Sequence, residues 1–332
     1  MSYQKIDRRE FLKVMGFSSM LFTLPFSAGC LDQTKPNTDI KVSLVKDSDE
    51  SDAIVQAIDM IGGMDFLSSG DSVLLKLALN SPNLFPATTS PFVISELISL
   101  LKDRGAGDVF VGDKSPFWYD ETGGTVGCMK ETGIYQAVVD AGAEVVVFEE
   151  EDMVHVNPPK AAYWPGGFSS PKIFNQVDHI IALPTLRTHQ IADFTMSMKI
   201  FVGAIPQKER FYIHRSNHFL EGIAEISLCT DKIRLSLLDA RQGFNSEGPD
   251  SGNLISPGII IASNNIVAAD ILGLALMKTV GTTDRLMNMS IWDHPTIKRG
   301  VEVHCSALSA ETIELLYKGI ENIEEIKTHL LT

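Results

Sequence analysis

Residues 258–280 read GIIIASNNIVAADILGLALMKTV, and this stretch decides the fold. The run GIIIAS is apolar almost throughout, which is typical of a strand covered on both faces. From Asn265 onward the apolar side chains recur at helical spacing, which predicts a helix up to Val280. A buried strand followed by a helix is the building unit of α/β proteins.

The same order recurs along the chain. Predicted strands cover residues 40–45, 72–79, 108–113, 144–150, 178–184, 233–239 and 258–263, and predicted helices cover 52–64, 90–106, 134–143, 194–202, 218–229 and 265–280. Residues after 280 are expected to be helical and charged. We therefore predict an α/β fold with a mostly parallel sheet flanked by helices, formed by residues 40–332. The Pro-, Gly- and aromatic-rich segment 157–171 is a candidate internal boundary.

Polar residues follow several predicted strands. They are Asn80 with Thr88 and Thr89, Asp113 with Lys114, Thr185 to His189, Asp239, and Ser263 to Asn265 with Asp270. The carboxyl ends of parallel strands lie at one edge of a sheet, and α/β proteins bind ligands in a crevice at that edge. We expect these clusters to converge there, although each one singly is more typical of an ordinary loop after a strand.

The segment LPTLRTHQIADFTMSMKIFVGAIP, residues 183–206, gathers cations in an acidic chain. Arg187 is suited to hold a planar anion through two hydrogen bonds, and His189 to exchange a proton near neutral pH. If residues 194–202 are helical, Thr195 and Lys199 share one face. The segment predicts a site for a small anion, with His189 and Lys199 as candidate catalytic residues. Buried ion pairs with acidic neighbours are the structural alternative.

Two further histidines raise the question of a metal. His214 and His218 are four residues apart, which is metal-ligand spacing on a helix, but Ser216 or Asn217 is a candidate N-cap that would leave His214 outside. A mixed site of His189, His214 or His218 with Asp239 would suit zinc, nickel or iron. A hydrogen-bonding role for each histidine is the alternative.

Composition excludes several classes of function. The net charge is −14, from 42 acidic and 28 basic residues, so we expect no nucleic-acid partner. The four cysteines are far apart and form no CxxC pair, so we expect no cysteine-ligated iron–sulfur cluster. The glycine patterns of nucleotide sites and the GxSxG motif of hydrolases do not occur.

The N-terminus carries targeting signals. Arg8 and Arg9, followed by Phe-Leu-Lys, match the twin-arginine export pattern, and Cys30 follows Ser-Ala-Gly as in a lipoprotein cleavage site. Residues 1–30 are therefore predicted to be a leader and 31–39 a tether. This predicts a protein exported across the cytoplasmic membrane by the twin-arginine machinery, and either membrane-anchored through Cys30 or periplasmic.

The motifs LPTLRTH, DFTMSMKIFVGAIP, LLDARQGF, EGPDSG and GIIIASNNIVAAD, in that order, resemble the DUF362 family, which comprises exported proteins and iron–sulfur proteins of largely unassigned function. The stretch LNSPNLFPATTSPFVISELISLLKDRGAGDVFVGDKS resembles the N-terminal part of that family. The resemblance covers roughly residues 72–301. It implies a site formed by Lys76, Thr88, Thr89, Arg187, His189, Thr195, Lys199, His214, Asp239 and Asp270.

The chain departs from the family pattern at a few positions. Arg187 stands where lysine is usual, Ile200 where asparagine is usual, Asn265 where aspartate is common and Leu77 where proline is common. The asparagine and the aspartate replaced at Ile200 and Asn265 are two polar groups that the family pattern places in the crevice. Their loss favours a binding protein that captures a small anion, metal or cofactor. The alternative is a metal- or cofactor-dependent enzyme, of redox or isomerase type, that acts on a small anionic substrate.

Overall fold

The computed structural model describes residues 40–331. The predictions for Arg8, Arg9, Cys30 and the tether lie outside these residues. Within them the strands are β1 (Ile40–Val45), β2 (Val73–Leu77), β3 (Val109–Asp113), β4 (Glu144–Val147), β5 (Met153–Val156), β6 (Phe168–Pro171), β7 (His179–Leu183), β8 (Thr185–His189), β9 (Asp193–Thr195), β10 (Ile233–Phe244), β11 (Leu254–Ile255), β12 (Ile259–Ser263) and β13 (Ile313–Lys318). The α-helices are α1 (Glu50–Met60), α2 (Pro91–Asp103), α3 (Gly124–Glu131), α4 (Ile134–Asp140), α5 (Ile173–Gln176), α6 (Gln207–His214), α7 (Phe219–Ile226), α8 (Ile266–Thr279), α9 (Asp284–Met287), α10 (Pro295–His304) and α11 (Ile323–Leu331).

The central sheet is mostly parallel, as predicted. Its strand order is β13-β1-β12-β10-β7-β2-β3-β4, and the strands from β10 to β4 pair in parallel. Strand β12 is antiparallel to both β10 and β1, and Ser263 at its end pairs with Ser236 near the beginning of β10. The polar cluster after β12 therefore lies at the edge opposite to the other strand ends and does not converge with them.

Helices cover both faces of the sheet. Along β12, Ile259 and Ile261 belong to one apolar core, whereas Ile260 and Ala262 belong to the other. Helices α7, α8, α10 and α11 contribute to the first core, and α1 and α2 to the second. Each fully buried isoleucine contributes roughly 1.5–3 kcal/mol of transfer free energy. The lack of alternation in GIIIAS thus follows from burial on both sides.

Segment 157–171 packs into the first core. Trp164 and Phe168 are buried there, and β6 pairs antiparallel with β5. The described part of the chain belongs to one compact unit, with no division at this segment.

The helix predicted over residues 194–202 is wrong. Residues Asp193–Thr195 form β9, and a 3-10 helix begins only at Lys199 and ends at Ala204. Strand β9 pairs antiparallel with β8, so that Arg187 faces Thr195 and His189 faces Asp193. Pairing with β8 satisfies backbone groups that a helix would otherwise have satisfied internally. The region after 280 also differs from expectation, since it includes strand β13 beside β1.

Candidate functional site

A cavity of about 310 Å³ lies beyond the carboxyl ends of β2 and β3 and beside β8. This volume is at the lower end of the range for small-ligand sites. The residues that line it are Ala78, Leu79, Asn80, Asp113, Lys114, Pro116, Trp118, Arg187, His189, Thr195, Lys199, Ile200, Val202, Gly203, Gln207, Arg210, Phe211, His214, Pro249 and Asp250. Five residues predicted for the site are among them: Arg187, His189, Thr195, Lys199 and His214.

Strand β8 brings two of these residues to one face. Side chains alternate along a strand, so Arg187 and His189 point the same way. Thr195 stands opposite Arg187 in the β8–β9 pair and joins them. The long strand β10 pairs first with β7 and then, from Asp239 onward, with β8, and the register with β8 has an irregularity between Asp239 and Gly243. Because β10 changes partner at this point, β8 extends beyond the main sheet and forms a wall of the cavity.

Arg187 is held along one edge of its guanidinium and free along the other. Its side chain is almost fully buried, and Nη1 donates to Asn80 Oδ1 at 2.7 Å, to Pro249 O at 3.0 Å and to Ala87 O. Neither Nε nor Nη2 has a hydrogen-bond partner within residues 40–331. Burial lowers the pKa of Arg187 to about 10, against the opposing charges of Asp250 and Asp113. The Nε–Nη2 edge is the pair of donors that binds a carboxylate side-on.

Lys199 lines the cavity without any hydrogen bond or ion pair to the part of the protein that is described. It is the first residue of the 3-10 helix Lys199–Ala204. Burial, followed by the positive charges of Arg187 and Arg210, lowers the pKa of Lys199 to about 7, while Asp250 opposes the shift. The amine is therefore present in both protonation states near neutral pH.

The two histidines of the cavity are held in opposite tautomers. His189 Nδ1 accepts backbone N–H groups of Ile191 and Ala192, each at 3.3 Å, so its proton is on Nε2. His214 Nδ1 lies 2.6 Å from the carbonyl oxygen of Arg210 and must donate to it, which leaves Nε2 unprotonated. Burial lowers the pKa of both imidazoles, and the positive charge of Lys199 lowers the pKa of His189 further, so both are neutral at pH 7. His189 can thus donate a hydrogen bond from Nε2, and His214 can accept a proton at Nε2.

Cations outnumber carboxylates around the cavity. Arg210 and Lys114 join Arg187 and Lys199, against Asp113 and Asp250. The Arg210 guanidinium donates hydrogen bonds to the backbone carbonyls of Gly203, Lys114, Ser115 and Ile205. It thereby links the segments that form the walls of the cavity. Asp113 is bound to buried Lys76 at 2.9 Å. The local charge is therefore positive in a protein whose net charge is −14.

Three other predicted site residues lie behind the cavity wall. Lys76 Nζ is fully buried between Asp113 Oδ1 at 2.9 Å and the Leu77 carbonyl at 2.7 Å. Thr88 donates to the Asn83 carbonyl, and Thr89 donates to the Leu183 carbonyl and accepts from the N–H of Ala78. These side chains fix the loop after β2 and do not line the cavity.

Asp239 and Asp270 are also outside the cavity. Asp239 is paired with Arg241 at 2.8 Å, and its predicted catalytic role stays a prediction. Asp270, on α8, accepts the backbone N–H groups of Ser197 at 2.6 Å and Met198 at 3.0 Å. It thereby anchors the two residues immediately before Lys199. Asn265, where the family resemblance suggested a lost crevice carboxylate, is the N-cap of α8.

His218, predicted as a metal ligand, is stacked on Tyr163 with ring centroids 4.4 Å apart and does not line the cavity. It stands as the N-cap of α7. Among residues 40–331 there is no group of three or more His, Cys, Asp or Glu side chains arranged to hold a metal. The proton-free Nε2 of His214 is the nitrogen of the cavity best suited to coordinate one.

Sequence reasoning did not assign several cavity residues to the site. Asp250 lies in the glycine-rich segment after β10, and its side chain bonds Asn80, which in turn bonds Arg187. Trp118 and Phe211 are exposed aromatic residues on separate elements, and Phe117 packs between them. The signal for Asp250 was the glycine-rich composition of its segment. No local pattern pointed to Arg210 or Phe211, since tertiary packing alone brings α6 to the cavity.

Comparison with known proteins places the chain in a family. The family model described as a domain of unknown function, DUF362, matches residues 73–275. The thylakoid-associated protein sll1697 of Synechocystis sp. is 26% identical over an alignment of 235 residues. The match covers 64% of this chain and 65% of that protein, slightly less than two thirds of its length. The lactate racemase apoprotein structure from Thermoanaerobacterium thermosaccharolyticum has a TM-score of 0.40 at 14% identity, over 69% of this chain and 55% of that one. In the part of the chain that is described, no helix is long and apolar enough to cross a membrane. The match over residues 73–275 shows that this chain belongs to the DUF362 family.

Proposed function

We propose that this protein binds a small carboxylate-bearing anion in the cavity beside β8. The observation that carries the proposal is the free Nε–Nη2 edge of Arg187, buried next to a lysine that also has no partner among the described residues. A desolvated donor without an acceptor costs about 1–3 kcal/mol. A carboxylate would satisfy both donors of Arg187 and would neutralise the positive charge of Lys199.

The cavity supports this function in two further ways. His189 Nε2–H adds a neutral donor that does not depend on pH near neutrality. The cavity volume of about 310 Å³ leaves room for a small-molecule ligand. Burial raises the pKa of Asp250, and the charge of Arg187 opposes this shift. Asp250 can therefore serve as the counter-charge of Arg187 when no anion is bound.

The proposal is tested by the thermal stability of the protein in the presence of propionate, pyruvate and oxalate. A ligand that binds only the native state raises the unfolding temperature in a saturable way. Lys199→Met should abolish most of this increase. Lys208→Met, an exposed position on α6, should leave it intact. Equal responses of the wild type and Lys199→Met would contradict the proposal, because salts also stabilise proteins non-specifically.

We propose further that the protein works outside the cytoplasmic membrane, anchored by lipid on Cys30. The support is the order of paired arginines, apolar run and Ser-Ala-Gly-Cys in residues 8–30. Cys30→Ser should move the protein from the membrane fraction to the soluble fraction of its host, and Arg8→Lys with Arg9→Lys should keep it in the cytoplasm. A membrane fraction unchanged by Cys30→Ser would contradict the anchor.

A catalytic role in proton transfer is the second candidate, and the opposite tautomers of His189 and His214 favour it. An acid and a base that face the same small cavity can remove a proton and return it. We expect such an enzyme to exchange the C–H hydrogen next to the carbonyl of pyruvate for deuterium in heavy water. Proton NMR would follow the exchange, and no exchange above that of the buffer would exclude this role for pyruvate.

A further inference from the structure

We propose that Lys199 forms a covalent imine with the carbonyl carbon of a 2-oxo acid bound in the cavity. The proposal rests on the anion-binding function above and adds the substrate class. A 2-oxo acid carries a carboxylate for the free edge of Arg187 and, on the adjacent carbon, a carbonyl for an amine. Arg187 and Lys199 both line the cavity and interact electrostatically.

Lys199 meets the requirements of an amine nucleophile. No acceptor within residues 40–331 holds its Nζ, so the lone pair is not tied to the protein. Burial disfavours its ammonium form, as do the guanidiniums of Arg187 and Arg210, while Asp250 opposes this shift. A lysine that is desolvated or placed beside another cation is the usual form of an imine-forming residue.

Lys114 lines the same cavity but is less well suited to act as an amine nucleophile. Burial, followed by the charge of Arg210, lowers the pKa of Lys114, and the carboxylates of Glu149 and Asp120 oppose this shift. Lys76 has its Nζ bound to Asp113 and to a carbonyl oxygen. Of the three lysines, Lys199 is the one whose pKa is lowered by Arg187, the residue that would hold the carboxylate.

The two imidazoles complete the step. The Nζ lone pair attacks the carbonyl carbon, a C–N bond forms, and the carbonyl oxygen takes a proton to give the carbinolamine. That proton is the one that the attacking nitrogen loses, and His214 Nε2 carries it to the oxygen while His189 Nε2–H donates a hydrogen bond to the same oxygen. The second proton of the amine follows the same route to the hydroxyl, which leaves as water as the C=N bond forms. One amine and one ketone give one imine and one water, with no oxidant or reductant.

The test is reductive trapping of the full-length protein with pyruvate and sodium cyanoborohydride, followed by intact mass and peptide mapping. We expect one adduct at Lys199, with a mass increase equal to pyruvic acid less one oxygen atom. Lys199→Arg, which keeps the positive charge but has no nucleophilic amine, should lose the adduct. Lys208→Met should keep it.

Propionate distinguishes failure of this inference from failure of the proposed function. Saturable stabilisation by pyruvate and propionate, with no adduct at Lys199, overturns the imine and leaves anion binding standing. No stabilisation by either anion and no adduct overturns both. Adducts spread over surface lysines in wild type and Lys199→Arg alike also overturn the imine, since they show only the general reactivity of amines.

Discussion

Two cations of one cavity differ in how the protein uses them. Arg187 donates from Nη1 to three acceptors that belong to the loop after β2 and to the segment after β10, so it joins two walls. Lys199 makes no such bond within the described residues. Arg187 therefore contributes both to the fold and to the site. A buried charge without a partner lowers the free energy of unfolding, so Lys199 destabilises the fold.

Replacing each cation by methionine should separate these roles. Arg187→Met leaves buried acceptors unpaired and should lower the free energy of unfolding by about 1–3 kcal/mol or more. Lys199→Met should leave it unchanged or raise it at neutral pH. Denaturant titration measures both, and a large loss in Lys199→Met would favour the reading of the cavity as structural ion pairs.

The pH dependence of wild-type stability gives the sign of the Lys199 contribution. The folded pKa of about 7 lies below the ordinary value of 10.5, so the unfolded chain binds more protons between these values. This contribution therefore makes wild-type stability rise with pH across that window. The stability advantage of Lys199→Met should shrink over the same window, and an advantage that grows would contradict the assigned shift.

At the scale of elements, the β8–β9 hairpin and helix α8 set the geometry of the cavity. The hairpin puts Arg187, His189 and Thr195 on one wall. Helix α8 supplies Asp270, whose carboxylate holds two backbone N–H groups just before Lys199. Asp270 therefore holds the backbone immediately before Lys199, and the family likeness had named it as part of the site.

Asp270→Asn should change the pH dependence of stability. Burial raises the pKa of Asp270 to about 7 from its ordinary 3.8, so the folded state binds the proton more tightly than the unfolded state. Wild-type stability contributed by this group falls as pH rises from about 4 to about 7. The variant cannot titrate and should lose this slope, as measured by urea unfolding at several pH values. An unchanged slope would show that the two backbone N–H donors keep the carboxylate ionised.

At the scale of the whole molecule, the sheet is an interior layer with an apolar core on each side. Strand β12 lies centrally between β1 and β10 and is buried along its full length. Successive side chains along β12 point alternately into the two cores. The helices on both faces of the sheet therefore pack against this one strand.

Alanine at Ile260 and at Ile261 should therefore be equally damaging. Each side chain is fully buried, and each truncation should cost about 2–5 kcal/mol of unfolding free energy. Leu254→Ala, at a position 54% exposed, is the control and should change stability by less than about 0.5 kcal/mol. A small cost at either isoleucine would show that one face of the sheet is poorly packed.

The local sequence pattern was enough to predict those elements whose apolar spacing and end signals are clear. Strand β1 was predicted at Ile40–Val45 and is found there, and helix α2, predicted over residues 90–106, begins after Ser90 and ends before Gly105. Apolar spacing, N-caps and a glycine at positive φ (92°) act over a few residues, so a sequence shows them directly.

The sequence by itself determined the alternation of strands and helices and the concentration of Arg187, His189 and Lys199 in one segment. Only the tertiary structure decided that residues 193–195 are a strand, that β12 runs antiparallel, and that Arg210 and Asp250 meet those cations. These features depend on pairing with β8 and β10 and on packing of α6 against the cavity. The segments that pair or pack in this way are distant along the chain. The free energy that favours these arrangements comes from tertiary contacts, which no local sequence pattern shows.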